Sequence, residues 1–103
     1  MPWYFYLLEF LAGALLANCV PHLVHGISGA PFQSPFAKPP GRGESSPVVN
    51  VQWGAANLLG GLLLLHFFWP TNEAGWSFFG VGAVFLALQL AKHFGKVRAG
   101  KHS

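Results

Sequence analysis

Two stretches without a single formal charge, Ser45 to Asn72 and Ala74 to Ala91, limit what this chain can become. A helix needs about 20 mostly apolar residues to cross the hydrocarbon core of a bilayer, and each stretch supplies a segment near that length. A third apolar segment precedes them, beginning at Trp3, with Glu9 as its one charged residue. Only 9% of the 103 residues are charged and 52% are hydrophobic, whereas soluble proteins carry about 25% charged residues. The fold class expected is an all-α integral membrane protein. It should be a single membrane domain with three spans at about 3–25, 48–69 and 76–94, because lipid forces an open chain of this kind into internally bonded helices.

Orientation follows from basic residues in short connections. Lys38 and Arg42 follow the first span, and Lys92, Lys96, Arg98 and Lys101 follow or close the third. An odd number of crossings puts both groups on one side, expected to be the cytoplasm, with the tail 95–103 as a basic anchor. The other side holds the amino terminus and the connection from Pro70 to Gly75, whose charge is Glu73. The expectation is N-out and C-in, in a bacterial-type inner or plasma membrane. The net charge of +3 therefore reads as a lipid-facing anchor rather than a nucleic-acid footprint. Leu16, Ala17, Asn18 and Cys19 superficially form a lipoprotein cleavage box. The absence of a basic residue ahead of the apolar run, together with Glu9 inside it, favours a retained span.

The inner loop, 29–47, is interrupted by Pro31, Pro35, Pro39, Pro40 and Pro47, which forbid a long helix. The repeated pairs Pro31-Phe32 and Pro35-Phe36 suit a segment lying at the membrane surface or re-entering the bundle; a disordered linker is the alternative.

Polar groups within spans are expensive and mark function or helix pairing. Asn18, His22 and His25 share one side of the first helix if it continues past Pro21. Asn50, Trp53, Gly54, Asn57 and Gly61 form a stripe on the second, and Gly82, Gln89, Lys92 and His93 share a side of the third. Asn18, His22, His25, Asn50, Trp53, Asn57, Gln89 and His93 all fall in the cytoplasmic half, as a ligand or ion site requires; interhelical hydrogen bonding is the alternative use of the same groups. Glu9 and His66 sit at one outer level and form a candidate proton-handling pair, unless Glu9 snorkels to the interface.

His22, His25 and His93 are the candidate ligands if a metal or haem is bound, although the sequence requires no cofactor and lacks acidic or cysteine ligands beside them. With one cysteine, Cys19, neither an internal disulfide nor a cysteine-based zinc site can form. No nucleophile has an aimed base, so an enzyme is not the leading expectation. Small residues recur at intervals of four, Gly13 with Ala17, Ala56 with Gly60, and Ala83 with Ala87 and Ala91, as in self-associating membrane helices. The functional expectation is small-solute or proton-linked transport or channel activity by a homo-oligomer. The alternatives are an accessory or assembly subunit with a membrane-protein partner, and a histidine-ligated haem or metal protein.

Overall fold

The computed structural model describes residues 2–101. Three helices dominate it: α1 (Tyr4–Ile27), α2 (Pro47–Phe67) and α3 (Glu73–Lys101). All three are long and apolar enough to cross a membrane. Between α1 and α2 lie two short strands, β1 (Phe32–Gln33) and β2 (Glu44–Ser45), paired antiparallel with Phe32 opposite Ser45 and Gln33 opposite Glu44. The connection holding this hairpin marks the loop end of the bundle. The Pro70–Asn72 connection marks the turn end.

α1 runs unbroken through Pro21, so Asn18, His22 and His25 do belong to one helix. It stops where Gly29 adopts a positive φ of 76°, the left-handed backbone that commonly ends helices. α2 begins with Pro47 in its first turn and Ser46 as its cap, whose hydroxyl accepts from the Val49 N–H, a standard start. α3 extends further than the third expected span. Its 29 residues reach about 43 Å, more than a hydrocarbon core of about 30 Å. The basic segment from residue 95 to 101 is therefore a continuation of the helix. His102 and Ser103, the rest of the expected tail, lie outside the described residues.

α1 is the central element, packed along both α2 and α3, while α2 and α3 barely touch each other. Small residues allow the close approach. A Cβ at Gly13 would lie 2.0 Å from the Phe79 carbonyl oxygen, and one at Gly82 would lie 2.1 Å from that of Phe10. The α1–α3 crossing therefore brings backbone onto backbone. On the other side of α1, Leu16 occupies the space over Gly61, and Leu23 that over Gly54. The polar stripe expected on α2 thus faces α1, with Asn50, Gly54, Asn57 and Gly61 buried.

The inner loop folds onto the bundle. Phe32, Gln33 and Ser34 are buried. The Phe32 ring lies on His25, with centroids 4.1 Å apart, and against Phe94 at 4.6 Å. Phe36, the second ring of the repeat, is exposed and meets Trp53 edge-on at 5.2 Å. One ring of the repeated pair therefore docks the loop, and the other caps the start of α2 from outside.

Candidate functional site

Asn50, in the first turn of α2, has no exposed surface. Its amide nitrogen donates to the carbonyls of Phe32 (3.0 Å), Ser45 (3.2 Å) and Ser46 (3.1 Å). Its amide oxygen lies 2.7 Å from His22 Nδ1. One side chain thus ties β1, β2 and the helix start to α1. Every carbonyl involved can only accept, which fixes the orientation of the amide, and the Asn50 oxygen must then accept from a protonated His22 Nδ1. In the neutral ring, Nε2 is left as an acceptor.

A second relay lies one turn away on α1 and two turns away on α2. Asn57 Nδ2 donates to the Trp53 carbonyl at 2.9 Å, and the Asn57 oxygen accepts from Asn18 Nδ2 at 3.0 Å. The Asn18 oxygen is left over. A third comes from α3, where His93 Nε2 donates to the Gly41 carbonyl at 2.6 Å. Gly41 holds a φ of 75°, a turn geometry that glycine adopts without strain.

These relays border one cavity of about 140 Å³, lined by Asn18 and His22 of α1, Trp53 of α2, and Leu90, His93 and Phe94 of α3. The loop borders it with Gln33, Ser34, Pro35 and Gly41, leaving it partly open. Four of the eight ligand-site candidates, Asn18, His22, Trp53 and His93, therefore line a common space. Asn50 and Asn57 stand behind them and set their orientation. His25 does not join the lining. Its Nδ1 donates to its own helix at the Pro21 carbonyl, 2.7 Å away, and its ring stacks on Phe32. Gln89 lies exposed on α3 and is also absent from the lining. Gln33 and Ser34 are the members that helical spacing could not reveal, because they belong to a hairpin whose register has no helical period. The Pro-Phe repeat around them was the available signal.

Glu9 behaves otherwise than the pairing with His66 implies. It is 1% exposed, and neither carboxylate oxygen has a hydrogen-bond partner. His66 is exposed on α2, with its ring against Phe67. The outer pair is not formed, and snorkelling is not observed either. Glu9 precedes Ala12 by three residues and Gly13 by four, so it shares a stripe with the residues facing α2 and α3 and lies beneath the turn. A Cβ at Gly75 would come within 2.9 Å of one carboxylate oxygen and 3.2 Å of the other. The Gly75 N–H is unavailable, since it donates to Asn72 Oδ1 at 2.7 Å. Glu9 and His22 are separated by about 20 Å along α1 and about 140° around it, which makes them separate features.

Metal ligation by His22, His25 and His93 gains no support from the geometry. Among the described residues no three His, Cys, Asp or Glu side chains come together around an ion. Nor does the cavity suit haem, because at about 140 Å³ it falls below the roughly 300 Å³ at which pockets for large organic ligands begin. The arrangement can hold a small polar group through hydrogen bonds. No protein-family model matches the chain, and no curated protein or solved structure matches it.

Proposed function

We propose that the chain is a multi-pass membrane protein, N-out and C-in, which binds a small solute in the loop-end cavity and transports it as a homo-oligomer. One observation carries the reading: polar groups from three helices and the loop converge on a space instead of pairing off completely. A chain using them only to join helices has no need of a cavity between them. The basic residues after α1 and on the last part of α3 support the orientation, and the exposed Ala87 and Ala91 support a small-residue contact with another subunit. Glu9, deep at the turn end, is the candidate for the proton-linked part of the cycle.

Liposomes reconstituted with the full chain, loaded with a pH-sensitive dye and clamped with potassium and valinomycin, test this reading. A proton gradient should decay faster than in empty liposomes. Leu90→Trp, which fills the cavity, should return decay to the empty-liposome rate. Equal decay in all three preparations removes transport of this kind.

A second reading, an accessory subunit, is favoured by the bareness of α3. Its exposed Val81, Val84, Phe85 and Leu88, with Gly80, border a shallow apolar groove of about 400 Å³ that suits a neighbouring helix. Under that reading the liposomes show no flux, and the chain runs with a membrane partner in constant ratio after mild solubilisation.

A further inference from the structure

Glu9 is buried, ionisable and remote from the loop-end cavity. Neither of its oxygens has a hydrogen-bond partner, and both lie against Gly75, where an added Cβ would stand 2.9 Å from one and 3.2 Å from the other. A Cβ is about 2.5 Å from the nitrogen of its own residue by standard bond lengths. The Gly75 N–H is therefore no more than about 5.4 Å from the nearer oxygen. That N–H belongs to the first turn of α3, and the first turn of a helix has N–H groups without intrahelical partners and favours negative charge.

The donors around the carboxyl are engaged elsewhere. Asn72 Oδ1 accepts from the Gly75 N–H at 2.7 Å, and the Trp76 N–H donates to the Asn72 carbonyl at 3.3 Å. The Ser77 hydroxyl donates to the Glu73 carbonyl at 2.9 Å. Pro70, buried against Gly75, has no N–H to give. The titratable groups on the elements packed around Glu9 are Tyr6 of α1, His66 of α2 and Glu73 of α3. None of them bonds to it: the Tyr6 hydroxyl accepts from Asn72, and His66 and Glu73 are exposed.

Asn72 ties the turn to α1. While Oδ1 holds Gly75, Nδ2 donates to the Tyr6 hydroxyl at 3.1 Å. This orientation of the amide is fixed, because a backbone N–H can only donate. Tyr6 and Glu9 are three residues apart on α1, so they share a face with Glu9 about 4.5 Å further along. One N–H of α3 thus has two acceptors within range: Asn72, tied to Tyr6, and Glu9 beneath it. The observed arrangement offers the carboxyl no donor, which suits the neutral acid, since a buried carboxylate without donors is far costlier. The ionised form gains a donor by displacing Asn72 from Gly75.

Resting on the proton-linked part of the reading above, we propose that Glu9 is a proton-exchange site that trades caps on α3. As the neutral acid it leaves Asn72 on the Gly75 N–H. On giving its proton to water at the exposed turn it takes that N–H itself, releasing Asn72 and with it the tie to Tyr6. The start of α3 is then held to α1 at Glu9 in place of Tyr6.

NMR of the full chain labelled with ¹⁵N-glycine, in lipid bicelles, follows the Gly75 amide, assigned by its loss in Gly75→Ala, from mildly acidic to alkaline pH. The wild-type signal should move through one titration as its acceptor changes from an amide oxygen to a carboxylate. Glu9→Gln, which keeps the shape of the neutral acid, should hold the signal at its acidic position throughout. Asn72→Ala, at an exposed position, removes the competing cap. It should bring the midpoint down by roughly half a pH unit or more, the equivalent of one hydrogen bond's net worth, a shift that a role in packing alone does not produce. A wild-type signal that stays still, an equal titration in Glu9→Gln, or an unchanged midpoint in Asn72→Ala overturns the proposal. In the liposome assay, flux lost in Glu9→Gln without titration of Gly75 leaves transport standing and removes the cap exchange. Titration of Gly75 without flux does the reverse.

Discussion

Asn50 at the loop end and Glu9 at the turn end are equally closed to solvent, 0% and 1% exposed, yet the first has four partners for its amide and the second has none for its carboxylate. Loss of exposure is therefore not what decides satisfaction. At the loop end the chain is irregular, and Phe32 and Ser45 bring carbonyls to Asn50 that no helix consumes. At the turn end a carboxylate needs donors, and the nearest backbone is the first turn of α3, where Asn72 has already taken the Gly75 N–H. Irregular backbone at one end supplies what regular backbone at the other withholds. The satisfied end holds the loop and shapes a cavity. The unsatisfied end retains a carboxylate with no hydrogen-bond partner.

The contrast makes Asn50 the most damaging polar position to change. Asn50→Leu removes the side-chain donor to the Phe32 and Ser45 carbonyls and the acceptor of the His22 N–H, while the Ser46 carbonyl keeps the backbone N–H of residue 50; at about 1 kcal/mol or more for each group left unpaired it should cost at least about 3 kcal/mol in a reversible denaturation in detergent. A cost below about 1 kcal/mol would mean that the loop docks without this anchor. Next is Gly75→Ala, which crowds the carboxylate and should cost about 1–2 kcal/mol, the usual penalty of overpacking. Repeating it in a Glu9→Ala background should remove the carboxylate's share of that cost and leave the contact with Pro70 Cβ at 3.0 Å, because only contacting residues couple. Additive effects would place Glu9 elsewhere. His66→Ala should change stability by less than about 0.5 kcal/mol, as expected of an exposed position. A larger loss would restore the pairing that the geometry denies.

The three long apolar helices were legible because length with few or no charges is a direct physical requirement of a bilayer crossing. The convergence of polar groups was legible too, since Asn18, His22, Asn50, Trp53 and Asn57 obey helical spacing, and the fold brings them together at the loop end. Spacing could not say which of these groups would line a space and which would brace it. That division depends on carbonyls contributed by a proline-rich loop with no period. His25 keeps the spacing of His22 but is drawn to Phe32, a contact set by the fold of the loop. Gln89 shares a face with His93 yet stays out of the lining, because the loop reaches α3 at His93 and Phe94, one turn further along. Glu9, six residues into its helix, was within snorkelling range by distance alone. The Pro70–Gly75 turn closes over it, and nothing in the spacing of α1 encodes that cover.

The cavity's chemistry turns on which ring nitrogens carry protons, and nitrogen NMR of the chain labelled with ¹⁵N-histidine, in lipid bicelles near neutral pH, reads this directly. His22, assigned by its loss in His22→Gln, should show a protonated Nδ1 and an unprotonated Nε2. His93 should show the opposite tautomer. A His22 ring protonated at Nε2 alone, or at both nitrogens, would contradict the relay from Asn50.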